Sequence, residues 1–399
     1  MASACAVVRR EEGGDDDGVP PVAVTHDADA GVLPADVLYE IFLRVPADAL
    51  CRLRLVCRAW RSLTSDRLFA AAHSSRHPLL AGLLDGGRDI HAVDVASGAV
   101  LRRIRLPKPT ESLPLITTHR DLVCASSETS GEARVVNLAT GEVTVLPAAT
   151  DYDDGEPAAS YILGHVPSTN EYKVLRMNLG AHRRTLRFIN TCHIITLAGG
   201  GGGGDPPRWR AKPVCPVSVV PLMCRTTVVD GVAYFMVNGE ALVDLGPDCV
   251  ASFDMASEEW RPMPFQGPVS SHRSRAGKRL PPVHHLNLFR LAVFSDRLVV
   301  LHRNIEEEST DFWFLEGMAD DNKQASWTKR YSMPWCPRGD RWEYPLAVSD
   351  DGSRILVWME VSRILRAYDP ETTTSAALSS VKDYSAVVMH HGSLLCPGL

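Results

Sequence analysis

The chain has 399 residues, 45% hydrophobic and 23% charged, with a formal net charge of −6. That length exceeds one ordinary core and predicts two or more domains, and the balance is that of a soluble globular protein. No stretch approaches the roughly 18 uninterrupted apolar residues of a membrane helix, which excludes a spanning role from the expectations.

Residues 1–30 are acidic and glycine-containing and read as a disordered lead-in without the apolar core of a secretory signal. Charge is uneven: residues 1–32 hold seven acids and two bases (−5), whereas residues 33–78 hold seven arginines and four acids (+3). The ten cysteines show no CxxC pair and no regular spacing, so free thiols in a reducing compartment, cytoplasm or nucleus, are expected.

From Leu33 to Phe69 the chain reads as short amphipathic helices. Leu33 and Pro34 set a helix start, Asp36 suits its first turn, and Val37, Leu38, Ile41, Phe42 and Val45 form one apolar stripe. Pro46 ends that helix and opens another, along which Leu50, Leu53, Val56, Trp60 and Leu63 recur at steps of three and four. Cys57 falls beside this stripe, and Arg54, Arg58 and Arg61 form a basic stripe on another face, solvated or meeting an acidic partner. A unit of roughly 40 residues stands at the lower limit of independent folding, so surplus apolar faces predict a docking partner or packing on the chain's own second domain.

The ordered set Leu33-Pro34, Asp36, Leu38, Glu40-Ile41, Arg44-Val45-Pro46, Leu50, Arg52, Val56-Cys57-Arg58, Trp60 and Leu63 resembles the F-box. The resemblance implies a three-helix unit over residues 31–77 that binds the Skp-type adaptor of cullin-RING ubiquitin ligases. The residues it singles out as docking and core set are Leu33, Pro34, Leu38, Ile41, Leu50, Val56, Cys57, Trp60 and Leu63.

From residue 78 to 399 short β-rich runs replace the helical pattern. Five hairpin-like segments end in proline, at Pro107, Pro147, Pro213, Pro264 and Pro334, at intervals of 40, 66, 51 and 70 residues. Between them lie apolar runs such as Val228–Phe235, Leu298–Leu301 and Ile355–Trp358, with hairpin turns at Asp230-Gly231, Ser295-Asp296 and Asp351-Gly352. The shorter intervals match a four-stranded blade of roughly 40–50 residues, which predicts a β-propeller of six or seven blades. A pair of β-sandwiches is the alternative, and either way the fold class is an all-α unit followed by an all-β domain.

The segment Tyr161–Met177, YILGHVPSTNEYKVLRM, is similar to the signature of the plant F-box-associated domain. Thr140-Gly141-Glu142, Phe253-Asp254 with Trp260, and Asp311–Leu315 with Trp327 follow that family's order of landmarks. Together the two resemblances imply a non-catalytic substrate receptor, linked through the adaptor to cullin and RING subunits and holding a target protein on the β domain. An enzyme or ligand-binding propeller with a vestigial F-box is the rival reading; a nucleic-acid binder using the basic stripe and residues 270–282 is a third.

No cofactor, metal, nucleic acid or membrane is expected. The glycine run 199–204 lacks the Lys-Ser/Thr of a phosphate loop, and the acid clusters 306–308 and 320–321 lack convergent His or Cys. The pairs His284-His285 and His390-His391 put neighbouring rings on opposite faces of a strand.

Overall fold

The computed structural model describes residues 33–84, 86–107, 114–120, 122–127, 132–148, 159–181, 188–197, 207–219, 225–237, 248–270, 288–317, 325–335, 343–349 and 351–395. The acidic lead-in, the glycine run, residues 271–282, His284-His285 and Asp320-Asp321 lie outside them.

Four helices come first: α1 (Ala35–Phe42), α2 (Ala47–Leu53), α3 (Arg58–Ser65) and α4 (Arg67–Arg76). Pro34 and Pro46 occupy the caps of α1 and α2, where a missing N–H and a fixed φ do no harm. The expected continuous helix from Leu50 to Leu63 is instead broken at Arg54–Val56, a tight turn closed by Leu55 N–H to Arg52 O and Val56 N–H to Leu53 O. Asp66 starts α4, its carboxylate accepting from the N–H groups of Leu68 and Phe69 at 2.8 and 3.0 Å.

The strands that follow form six four-stranded antiparallel sheets. The first sheet contains β1 (Leu79–Leu84), β2 (Asp89–Asp94) and β3 (Val100–Arg105); the second is β4 (Pro114–His119), β5 (Leu122–Ser127), β6 (Ala133–Asn137) and β7 (Val143–Val145). The third is β8 (Ala159–Val166), β9 (Glu171–Ala181), β10 (Phe188–Thr196) and β11 (Arg210–Lys212); the fourth is β12 (Thr226–Val229), β13 (Val232–Met236), β14 (Val250–Asp254) and β15 (Glu259–Trp260). The fifth is β16 (Phe289–Phe294), β17 (Arg297–Asn304), β18 (Ser309–Gly317) and β19 (Ser326–Pro334). The sixth is β20 (Glu343–Val348), β21 (Ile355–Met359), β22 (Ile364–Asp369) and β23 (Thr374–Ser380). The last strand, β24 (Tyr384–His390), returns to pair with β1, so that Leu79 faces His390 and Leu83 faces Ala386. Strands β24, β4, β8, β12, β16 and β20 touch one another in cyclic order around an axis. The result is a six-bladed β-propeller, closed by its own C-terminal strand.

Repeating sequence features acquire physical causes. The proline-ended segments are the outer hairpins of blades one to five; β23 of blade six ends at Ser380 without proline and escapes the series. The prolines serve the neighbouring blade: Trp209 Nε1 donates to Pro147 O at 2.7 Å, Trp260 Nε1 to Pro213 O at 3.0 Å, and Trp327 Nε1 to Gln266 O at 3.0 Å, just past Pro264. Each indole N–H thus finds a partner while its ring fills an inter-blade core. The hairpin turns also repeat. Asp94, Asn137, Asp254, Asn304 and Asp369 each accept backbone N–H bonds two or three residues on. Four residues after each stands a left-handed residue: Gly98, Gly141, Glu258, Glu308 and Thr373. The 66-residue interval reflects blade three, whose strands run to 8, 11 and 9 residues.

The Tyr161–Met177 signature is the β8–β9 hairpin, and its Lys173 ties blade three to blade four. Gly164 lies in close approach to Met255 and Val228, so that a Cβ there would displace the Met255 side chain. Lys173 crosses to blade four and donates to Met255 O and Glu258 Oε1, both at 2.9 Å. Glu258 also pairs with Arg210 at 2.5 Å and Lys212 at 2.6 Å. Burial pushes its carboxyl up, but the hydrogen bonds from Arg210, Lys173 and Lys212 together outweigh this and hold it at about 2. Because the folded-state value lies below the ordinary 4.5, this stabilisation is complete above that pH and is lost as pH falls through 2. Glu258→Gln is expected to cost about 3 kcal/mol at pH 7. Urea titrations should show the gap to the wild type closing below pH 4.5.

The helical unit shares its core with the chain's other end. Phe42, Leu43, Ala47, Leu50 and Phe69 are buried together with Leu395, which is fully inaccessible. Tyr39 meets Phe69, and Phe42 meets Trp60, edge-on at 5.3 and 5.1 Å. The residues directly after β24 therefore key the helices to the propeller. Leu395→Ala is expected to cost about 2–5 kcal/mol locally. Limited proteolysis should then cut the helices faster while the strand signal in circular dichroism stays unchanged.

Candidate functional site

The apolar stripe of α1 divides into two. Phe42 is buried and Leu38 and Val45 are half-buried against the helical core, whereas Leu33, Val37 and Ile41 stay exposed at four-residue steps along the outer face. The α2–α3 turn exposes Leu55 at 79% and Val56 at 62%, and α4 exposes Leu68. Among the residues expected to form the docking and core set, Leu33, Pro34, Ile41, Val56 and Cys57 lie at the surface. Leu50 is buried, and Leu38, Trp60 and Leu63 are half-buried. Val37, Leu55 and Leu68 extend the exposed set.

The three arginines do not form the expected stripe, because the chain breaks between Arg54 and Arg58. Arg54 is half-buried and donates through Nε to Thr64 Oγ1 at 3.1 Å and through Nη2 to Thr64 O. Thr64, fully buried, donates a hydrogen bond from its hydroxyl to Trp60 O at 2.8 Å. Arg61 Nε returns to Arg54 O at 3.2 Å. Two of the three guanidiniums therefore pin the exposed turn in place, and Cys57 sits at the cap of α3 rather than beside an apolar stripe.

Helix α4 fixes the other side. His73 Nε2 bonds Val45 O at 2.8 Å and His77 Nε2 bonds Leu43 O at 3.0 Å, supplying donors to carbonyls past the end of α1. The two rings stack at 4.4 Å. Burial, together with the charge His77 would carry, lowers the His73 pKa, against the opposing effect of its bond to Val45.

This arrangement can bind, by burying large apolar side chains held on a braced scaffold. It places no nucleophile beside a base. Among the described residues no three His, Cys, Asp or Glu side chains come together to hold a metal ion. The Glu306–Glu308 acids form a hairpin turn capped by Asn304. Cys124, Cys192 and Cys215 are buried free thiols, pushed up to about 12 by burial. No helix among the described residues is long and apolar enough to cross a membrane.

A family model described as the F-box associated beta propeller domain matches residues 99–376, and an F-box-like model matches residues 30–72. The chain belongs to the F-box-associated β-propeller family. The F-box-like match takes in α1 to α3 and the first part of α4. The chain is similar to F-box protein At3g07870 of Arabidopsis thaliana, 26% identical with 91% of each chain covered. It is also similar to F-box protein CPR1 of the same plant, 26% identical over 36% of this chain and 37% of that one. Among solved structures, the periplasmic gluconolactonase PpgL of Pseudomonas aeruginosa aligns at 14% identity and a TM-score of 0.41 over 79% of this chain and 99% of that one. A likeness of that degree carries no argument about activity.

The bracing of the F-box turn makes a stability prediction. Arg54→Met leaves the buried Thr64 carbonyl short of a donor and should lower F-box stability by about 1–3 kcal/mol. Hydrogen exchange resolved to residues 54–65 checks this, with faster exchange in α3 and unchanged rates in the blades.

Proposed function

We propose that this chain is the substrate-recognition subunit of an SCF-type ubiquitin ligase. The F-box docks on a Skp-type adaptor and through it joins cullin and RING subunits, while the propeller holds a target protein. The chain performs no chemistry itself; it supplies proximity to a ubiquitin-charged enzyme carried by other subunits. The observation that carries the reading is the outward apolar face of Leu33, Val37, Ile41, Leu55 and Val56 on a unit whose inner face is locked to a propeller. Each such side chain buried on docking contributes roughly 1.5–3 kcal/mol, enough in sum for a stable complex. The net +3 of residues 33–78 favours an acidic partner surface.

The F-box side of the propeller is where β24 ends and β1 begins. The free thiols and the family's partners support a cytoplasmic or nuclear location.

The test separates surface from core. In pull-downs with purified adaptor, Ile41→Asp combined with Val56→Asp should abolish retention with no loss of thermal stability. Trp60→Ala should weaken both retention and fold, by about 3–5 kcal/mol for the fold. Full retention by the folded double variant contradicts the proposal.

A further inference from the structure

The exposed apolar groups of the F-box are bordered by arginine. Arg44 N–H donates to Ile41 O at 3.0 Å, and Arg44 continues the outer row of Val37 and Ile41 at seven- and three-residue steps. At the α2–α3 turn, Arg52 and Arg58 stand on either side of Leu55, Val56 and Cys57 in the chain, and Arg61 is tied back to Arg54 O at 3.2 Å. Arg44, Arg52, Arg58 and Arg61 are all exposed. Two of the unit's acids are engaged elsewhere: Glu40 pairs with Arg76 at 3.3 Å, and Asp66 caps α4. An apolar face flanked by guanidiniums fits an occupant that is itself apolar and flanked by acids.

The chain carries such a segment immediately before α1. Residues 11–29, which lie outside the described residues, hold seven acids and no Lys or Arg (−7). Glu11, Glu12 and residues 15–17 precede the apolar run Val19-Pro20-Pro21-Val22-Ala23-Val24, and Asp27 and Asp29 follow it. The order acid, apolar, acid thus mirrors the arrangement of the face. Nine residues lead from Val24 to Leu33, where the exposed row begins, and nine residues reach as far as about 30 Å. Helix α1, at eight residues, is only about 12 Å long. Tethering at this distance also gives the segment an effective concentration of roughly millimolar at the face.

We infer that residues 11–29 fold back onto the exposed F-box face, with residues 19–24 against Val37, Ile41 and Val56 and the acids beside Arg44, Arg52 and Arg58, and that the adaptor must displace them. Exposed ion pairs are individually weak, so the cover is partial. A face left open in about a tenth to a third of the molecules binds its partner about threefold to tenfold less tightly than one always open. The chain's own acidic segment therefore sets a threshold for adaptor docking. The competition rests on the adaptor reading above, whereas the contact within the chain does not.

Two measurements separate these. Hydrogen exchange of the full chain alone reads the contact, compared with the variant Glu11→Gln, Glu12→Gln, Asp15→Asn, Asp16→Asn, Asp17→Asn and with a chain lacking residues 1–30. Both changes are expected to speed exchange at residues 33–41 and 52–58 by about threefold or more, equally at every protein concentration, with the blades unchanged. Titration of the same three proteins with purified Skp-type adaptor reads the competition. Both altered forms should bind about threefold to tenfold more tightly than the wild type. Unchanged exchange in altered forms that melt as the wild type does, protection that fades on dilution and so belongs to a second copy, or one adaptor affinity shared by all three proteins overturns the inference. Failure of all three to bind adaptor, with exchange still faster in the altered forms, contradicts the ligase reading instead and supports the contact.

Discussion

Pairing of β24 with β1 is the constraint on which the rest of the molecule depends. It closes the ring of six blades, bringing together strands about three hundred residues apart in the chain. It also delivers Leu395 into the F-box core directly after the last strand. One antiparallel ladder therefore does two jobs that are separate in sequence: it completes the propeller and it fixes the helices against it. A receptor that presents a target to a distant reactive centre gains from such rigidity, because proximity is effective only when orientation is held.

Within the ring, several polar and aromatic side chains are mechanical. Lys173 and Glu258 join blades three and four, the indoles of Trp209, Trp260 and Trp327 reach across to the preceding blade, and Thr118 Oγ1 of blade two donates to Met389 O of the closing strand at 2.7 Å. These side chains hold the frame, which leaves specificity to other residues. The same division appears in the F-box, where Arg54, His73 and His77 are spent on internal bonds and Leu33, Ile41 and Val56 are left outside.

Much of this was legible in the sequence because its signals are local. Pro34 and Pro46 announced helix starts, the Asp230-Gly231 and Ser295-Asp296 turns announced hairpins, and the proline series announced the blades. What failed was non-local or ambiguous by nature. Periodicity puts Val37, Leu38, Ile41 and Phe42 on one broad stripe, but only the packing of Trp60 on Phe42 decides which edge faces inward. The break at Arg54–Val56 carries neither proline nor glycine, and it is braced by the tie from Arg54 to Thr64, ten residues away. Nothing near Leu395 signals that its partners are Phe42 and Leu50. The burial of His390, with its neighbour His391 exposed, follows by contrast from strand alternation.

The central claim, that a rigid bridge offers an outward apolar F-box face to a Skp-type adaptor, is tested most directly by hydrogen exchange on the full chain with and without that adaptor. The account predicts new protection confined to residues 33–41 and 52–58, with blades one to six unchanged. Protection that falls on the blades instead, or no change at 33–41 in a complex that has formed, would contradict it.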